Sequence, residues 1–135
     1  MLEVYSLNVD VESESMIPLN NVTIKKGCTA VNNSPATIQL NKRGVYMVSC
    51  DCSVTPTDAD LIKIQLFKNG VAQPQAQSSL TGVVGSTSTL HFNTLVQVSE
   101  DNSNCCCSSP TLLQIENAGI GVTFDNVNVC VTKIC

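Results

Sequence analysis

The feature that most constrains the fold is an alternation of apolar and polar residues that recurs along almost the whole chain. Side chains in a β-strand alternate between the two faces of a sheet, so each alternating row places one apolar face against a core. Turn signals separate the rows at intervals of roughly eight to twelve residues, and no helical periodicity lies between them. The rows cover residues 5–11, 38–40, 46–54, 62–66, 90–98, 113–115 and 127–131.

The residue composition favours the same class of fold. Val, Ile and Thr together number 37, whereas Ala, Glu and Lys number 17, and the first set prefers strands while the second prefers helices. Asn69-Gly70 is a strong two-residue hairpin signal, because both residues tolerate a positive φ. The spacing predicts one all-β domain over residues 1–135, a β-sandwich or barrel, for which a jelly roll is the usual closed form at this strand count.

Charge and hydropathy exclude several classes of partner. Lys and Arg total 7 against 11 for Asp and Glu, a net charge of −4, which provides no basic surface for nucleic acid. The apolar runs are far shorter than the roughly 20 residues that a membrane-spanning helix requires. The first residues lack the basic and apolar regions of a Sec signal peptide, so we expect synthesis in a cytoplasm without secretion by that route.

Eight cysteines are the most unusual part of the composition. Cys50 and Cys52 share the inward side of a predicted strand, and we expect them to be free core thiols because an i, i+2 pair in a strand is poorly placed for a disulfide. Cys130 falls on the polar side of the last row.

Three consecutive cysteines, Cys105, Cys106 and Cys107, lie in a predicted loop over residues 99–110. They are reduced and inert, paired in disulfides within or between subunits, or part of a zinc site with Cys130 or Cys135. The usual Cys-x-x-Cys spacing of a zinc knuckle is missing. We therefore assign no metal and no cofactor.

His91 is the single histidine, and alternation places it on the face opposite Leu90 and Phe92, exposed to solvent. A Ser-His-Asp site would have to use it. The Gly-x-Ser-x-Gly elbow is absent, because residues 85–89 lack the second glycine and no helix pattern follows. We therefore predict that the protein is not an enzyme and name no catalytic residue.

Three segments, taken in order, resemble a known family. They cover most of residues 17–134, and they resemble the tumour-necrosis-factor-like jelly rolls, a group that includes the complement-type globular heads. The segments are Gly44-Val45-Tyr46-Met47-Val48-Ser49 after Ile38-Gln39-Leu40, then Leu66-Phe67-Lys68-Asn69-Gly70-Val71, and finally Val122-Thr123-Phe124 through Lys133-Ile134.

The resemblance implies a jelly roll of about ten antiparallel strands that assembles as a homotrimer, with one sheet face of each subunit around a threefold axis. The chain is similar to small bacteriophage virion proteins, which decorate capsids or form the knobs of head or tail fibres. We therefore expect a structural virion protein whose partner is the major capsid protein or another virion protein. Residues 17–135 would form the core and residues 1–16 an extension, with Leu2–Val11 as a tether strand. Because the chain has two Tyr, three Phe and no Trp, we expect an aliphatic axis.

One alternative uses the same fold differently. A ligand- or carbohydrate-binding module of a cell-surface or spore-surface layer would contact its partner, such as a host-surface glycan, through predicted loops at residues 74–80 and 99–110. A hydrolase that depends on His91 is the third hypothesis, because the same fold can host enzymes as well as structural proteins.

Overall fold

The computed structural model describes residues 1–27, 30–99 and 111–135, and in these ranges it contains strands and no helix. The strands are β1 (Leu2–Val11), β2 (Ser15–Met16), β3 (Asn21–Lys25), β4 (Ala30–Ser34), β5 (Thr37–Leu40), β6 (Gly44–Val54), β7 (Leu61–Lys68), β8 (Val71–Thr81), β9 (Ser88–Val98), β10 (Thr111–Asn117) and β11 (Val122–Lys133).

The strands form two antiparallel sheets. Sheet A has the order β3-β1-β11-β6-β9, and sheet B has the order β4-β5-β10-β7-β8, with the short β2 also paired to β10. Of the connections between the described strands, the β4–β5 and β7–β8 hairpins stay within one sheet and the others cross between sheets. This is the jelly-roll arrangement, and the predicted all-β jelly-roll sandwich is confirmed.

The core lies between the inward faces of the two sheets. The rows predicted over residues 46–54, 62–66 and 90–98 all point inward, because strict alternation leaves each strand one apolar face. Tyr46 and Phe124 are the largest fully buried side chains. The Tyr46 hydroxyl donates a hydrogen bond of 2.6 Å to the carbonyl of Lys42, so its polar end is satisfied inside the sandwich.

The predicted inward row of β1 is wrong in its first half. Leu2, Val4 and Ser6 point into the core, whereas Leu7 is exposed. Asn8 has a φ of 50°, in the left-handed region, and the alternation changes face there. Val11 is buried as predicted, because it follows this irregularity.

The role of β1 as a tether stays a prediction, and the structure shows where this strand lies in a single subunit. A tether strand would add to the edge of a neighbouring subunit's sheet. In the single subunit, β1 lies between β3 and β11 of its own sheet and pairs with β11 from Leu2 to Val11. Removing it would split sheet A, so Leu2–Val11 belongs to the core of this sandwich.

The loop predicted at residues 74–80 is a strand. It forms most of β8, an edge strand that pairs with β7 in sheet B. Pro74 is tolerated there because it lies at an edge and beside a register shift between Gln65 and Phe67 on the partner strand. The Asn69-Gly70 turn that precedes β8 has φ values of 51° and 79°, which confirms the predicted hairpin.

Candidate functional site

The outer face of sheet A, meaning the side chains of β1, β6, β9 and β11 that point away from the core, is the candidate interaction surface. Strand pairing aligns these side chains in rows across the sheet, and each row takes one residue from each strand. One row runs Tyr5, Asn128, Asp51, His91, and the next runs Glu3, Cys130, Ser49, Asn93.

One end of the outer face of sheet A is apolar. Met47 on β6 lies opposite Leu95 on β9, and their side chains are 39% and 54% exposed. Ile134, which is also exposed, extends this end because its backbone N–H donates to the carbonyl of Val45. Exposed apolar side chains that cluster on a sheet mark an association surface more often than scattered ones do.

The opposite sheet presents a different surface. In the centre of sheet B, Gln65 on β7 pairs with Gln77 on β8 and with Glu116 on β10, and these side chains point away from the core. Lys63 and Ser79 form the next pair along β7 and β8. The outer face of sheet B also carries Leu61 and Phe67 on β7, but its centre consists of amides, hydroxyls and charges. Sheet A, where two exposed apolar side chains lie opposite each other, is therefore the better candidate for burial against another surface.

The centre of the outer face of sheet A holds an aspartate–histidine pair. The Asp51 Oδ1 and His91 Nδ1 atoms are 2.7 Å apart, with the side chains 66% and 56% exposed. The Nδ2 amide of Asn93 lies 3.3 Å from His91 Nε2. An amide N–H can only donate, so this arrangement fits a neutral imidazole that accepts at Nε2 and donates from Nδ1 to the carboxylate.

The pair does not form a nucleophilic triad within the part of the chain that the structure describes. A Ser-His-Asp site requires a hydroxyl or thiol at the second imidazole nitrogen, and that position is taken by Asn93. The Ser78 hydroxyl accepts instead from the backbone N–H of His91, at 3.3 Å, where it links β9 to β8. The prediction that His91 is exposed is confirmed. Its two ring nitrogens form hydrogen bonds with Asp51 and Asn93.

A trough of about 270 Å³ lies on the outer face beside this pair, and Cys52 and Leu90 contribute to its lining along with polar side chains. Hydroxyl, amide, carboxylate and imidazole groups line it, a mixture that suits the hydroxyls of a sugar or the polar groups of a protein. These groups belong to Asp51, Ser53, Thr89, His91, Asn126 and Asn128. Among the described residues there is no group of three or more side chains of the metal-binding types.

A second depression lies at one end of sheet A, and side chains in and beside it form hydrogen bonds with one another. Thr55 donates to Asp125 over 2.8 Å and also pairs with Thr87, and Thr123 donates to Asp10. These carboxylates already accept hydrogen bonds from neighbouring threonines. The depression is therefore best explained as a structural contact between strand ends.

Cys50 and Cys52 are buried free thiols, as predicted. Burial raises the pKa of both, and that of Cys52 rises to about 12, although a backbone hydrogen bond from Leu90 opposes the shift. The nearby Asp51 carboxylate adds to the rise in each case. Both thiols therefore stay protonated and unreactive at neutral pH.

The other cysteines divide into two groups. Cys130 is half-buried on the outer face of sheet A, on the polar side where alternation placed it, and Cys135 is exposed; both are free. Cys28 and the predicted cysteine loop with residues 105–107 lie outside the described residues, so the alternatives of reduced thiols, disulfides or zinc remain predictions there.

Two parts of this surface escaped the sequence analysis. Pairing between Asp51 and His91 depends on the register of β6 against β9, which alternation alone does not give. Met47 and Leu95 did leave a signal, because each is apolar at an outward position within an otherwise alternating strand. Apolar residues that break the alternation are the sequence sign of a second buried face.

Comparison with known proteins supports the fold. The chain matches no known family profile and no curated protein sequence. Among solved structures it is similar to the globular domain of the zebrafish complement 1qA protein, with a TM-score of 0.71 and 8% identity over 99% of this chain and 96% of that one. It is also similar to the Eiger TNF of S. frugiperda, with a TM-score of 0.72 and 8% identity over 99% and 92% of the two chains.

A third similar structure is the PRD1 vertex protein P5, with a TM-score of 0.66 and 12% identity over 99% of this chain and 96% of that one. At these identities the likeness concerns the fold. The predicted resemblance to tumour-necrosis-factor-like and complement-head jelly rolls is thus confirmed at the level of architecture. Within the described residues, no helix is long and apolar enough to cross a membrane.

Proposed function

We propose that the protein is a homotrimeric structural component of a bacteriophage particle, a capsid decoration, auxiliary or head-fibre protein displayed on the particle surface. The observation that carries the proposal is the similarity of the fold to that of a phage vertex protein, which extends over 99% of this chain and 96% of that one. A virion role also agrees with the charge pattern, which offers no surface for nucleic acid.

The outer face of sheet A is the proposed subunit interface. In a cyclic trimer each subunit contributes the same patch, so an apolar end on one copy brings three such ends together around the axis. Each square ångström of apolar surface removed from water contributes about 25 cal/mol before the costs of association. Met47, Leu95 and Ile134 provide that apolar surface, and none of the three is aromatic.

The proposed mechanism therefore depends on the burial of apolar surface between subunits and on the shape of the folded sandwich. A rigid sandwich with a closed interface resists unfolding and proteolysis on a particle surface, and neither property requires a reactive group. Attachment to the major capsid protein or another virion protein uses surfaces other than β1, because β1 is an internal strand of sheet A.

A second candidate function is carbohydrate or ligand binding, and the trough beside His91 favours it. Asp51, Asn126 and Asn128 offer carboxylate and amide groups that form paired hydrogen bonds with sugar hydroxyls. The two candidates compete for one surface, since a trimer that closes on the outer face of sheet A covers the trough. The oligomeric state therefore discriminates between them.

The first experiment is the native mass of the purified protein, measured by light scattering with and without a reductant. The proposal expects three times the 14.4 kDa of one chain in both conditions, because apolar packing holds the subunits together. A trimer that separates on reduction would show that disulfides between cysteines of different subunits, and not apolar packing, hold the subunits together. A monomer would overturn the virion-trimer proposal, and binding to a glycan array would then test the trough, with Asn128→Ala as the variant expected to lose binding.

The virion assignment needs its own test. Antibodies against the protein should label purified particles of the phage that encodes it, at a constant number of copies per particle. Its absence from purified particles, in a preparation where the major capsid protein is intact, would remove the virion role and leave the fold unaffected.

A further inference from the structure

We propose that the Asp51–His91 pair makes assembly of the trimer depend on protons, so that the subunits associate most strongly at mildly acidic pH and separate more readily as the pH rises through the range where histidine titrates. This inference rests on the proposed function, because it requires the outer face of sheet A to be the subunit interface. It concerns regulation of that interface.

The position of the pair is the first step in the argument. A single row, formed by Ser49 and Asn93, separates the Asp51–His91 pair from the row that contains Met47 and Leu95. Both side chains are more than half exposed in the single subunit. An interface that closes over the apolar end therefore also removes water from the pair, and its charge state enters the free energy of association.

The charged neighbours are few. The side chains of β9 and β8 beside His91 are the uncharged Asn93 and Ser78. Cys130 on β11 and Glu3 and Tyr5 on β1 are the other titratable groups in the two rows that contain Asp51 and Asn93, and Asp10 lies further along β1 on the same face. Since strands lie about 4.8 Å apart, β1 is roughly 14 Å from β9, and the Asp51 carboxylate dominates the surroundings of the imidazole.

When the imidazole is neutral, the pair carries the full negative charge of Asp51. Three copies then place three carboxylates in one shared interface, where each loses water and repels the others. An uncompensated buried charge is expensive, and one neutral N–H donor from His91 offsets only part of that cost. Association is therefore weakest when His91 is neutral and Asp51 is ionised.

When the imidazole is protonated, the pair is neutral as a whole and its hydrogen bond is charge-assisted. Nε2 then becomes a donor, and rotation of the Asn93 amide by half a turn presents its carbonyl oxygen as the acceptor. The trimer thus binds protons more strongly than the separate subunits. By linkage, acidification that protonates His91 while Asp51 stays ionised strengthens association.

The test is the trimer–monomer dissociation curve, measured by sedimentation at about pH 6 and about pH 8, on either side of the histidine range. The wild-type protein should require at least about tenfold more dilution to dissociate at the lower pH than at the higher one. For a monomer–trimer equilibrium this is about a hundredfold change in the dissociation constant, roughly 2.7 kcal/mol of association free energy. His91→Gln should still form trimers but lose this difference. Because His91 is exposed, the substitution leaves the core intact.

The matched control is Asp51→Asn, which keeps the side-chain shape and removes the charge. The remaining imidazolium is then unpaired, so the pH dependence should reverse and acid should weaken the trimer. Trimers whose dissociation is independent of pH would overturn this inference and leave the proposed function standing. An equal pH dependence in the wild type and in His91→Gln would also overturn it, whereas a monomer at both pH values would overturn the proposed function.

Discussion

Met47 and Leu95 lie directly opposite each other on β6 and β9, and both apolar side chains point away from the core. Cross-strand pairs of this kind stabilise a sheet only modestly while water covers them. On the neighbouring inward positions, Val48 and Val96 are fully or almost fully buried. The two strands therefore carry apolar residues on both faces at this end, which is the pattern of a sheet buried on both sides.

Met47→Asp and Leu95→Asp should each convert the trimer to a monomer that remains folded. A carboxylate at either position would be desolvated in the interface, at a cost of several kcal/mol per subunit, whereas in the single subunit it stays in water. Light scattering gives the mass and circular dichroism gives the fold.

The control for these variants is Gln65→Asp, which places the same charge on the outer face of sheet B. Gln65 is half-buried there beside Gln77, outside the proposed interface. The control should stay trimeric. If it dissociates while Met47→Asp does not, the interface lies on sheet B.

The buried thiols should make the protein lose stability at alkaline pH. A thiol is negatively charged only when it loses its proton, and burial raises the pKa of Cys52 from 9.0 to about 12. Between these values the unfolded chain releases a proton that the folded chain keeps. The free energy of unfolding should therefore fall as pH rises from about 9 to about 12, by roughly 1.4 kcal/mol per pH unit for this thiol.

Urea unfolding at a series of pH values measures this slope. The pKa of Cys50 is raised by burial in the same direction, so both thiols contribute. The double variant Cys50→Ala, Cys52→Ala is the matched comparison, because it retains every other group that titrates above pH 9. A wild-type slope no steeper than that of the double variant would show that these thiols ionise freely in the folded state.

Much of the fold follows from local rules in the sequence. The inward rows of β6, β7 and β9 obey strict alternation, and the Asn69-Gly70 turn has the backbone that its residues favour. The buried thiols of Cys50 and Cys52 follow from the same rule. These features depend on two or three neighbouring residues, so a single sequence contains the information that specifies them.

What the sequence did not reveal depends on pairing between distant strands. The inward face predicted for the first half of β1 is wrong because one residue, Asn8, adopts a left-handed backbone that alternation does not anticipate. The strand character of β8 was hidden by Pro74, which an edge position tolerates. The Asp51–His91 contact joins residues 40 positions apart, and only the register of β6 against β9 brings them together.

Among the polar residues of the sandwich, we expect substitution of Asn117 to cause the largest loss of unfolding free energy. Its side chain is fully buried, and Nδ2 donates to the carbonyls of Val11 and Ile120 at 3.1 and 2.9 Å, while Oδ1 accepts from the N–H of Gly119 at 3.2 Å. Asn117→Ala leaves these backbone groups without partners, which costs roughly 2–4 kcal/mol in total. Thermal or urea unfolding measures the loss.

The comparison variant is Asn126→Ala, since Asn126 is exposed on β11 and its substitution should change the free energy of unfolding by less than about 0.5 kcal/mol. Equal losses of unfolding free energy in the two variants would mean that the buried hydrogen bonds of the Asn117 side chain do not stabilise the sandwich. In that case the β10–β11 connection would be held by its backbone bonds alone.

Val4 and Leu7 offer a sharp test of where β1 belongs. Both are apolar and lie on the same strand, but Val4 is 0% exposed in the core and Leu7 is 56% exposed on the outer face of sheet A. In a Met47→Asp background, where we expect a monomer, Val4→Asp should lower the free energy of unfolding by at least about 3 kcal/mol, since it buries an unpaired charge. Leu7→Asp should leave it within about 0.5 kcal/mol.

A strand that serves as a tether to a neighbouring subunit would behave differently. In that case Val4→Asp would weaken assembly while the monomer unfolded with unchanged free energy, because the strand would be detached in the monomer. The expected result, a large loss in the monomer from Val4→Asp alone, would make β1 an internal strand of the subunit in solution. Attachment to a particle would then have to be sought on the strand ends and connections, where the backbone is not already paired within the sheets.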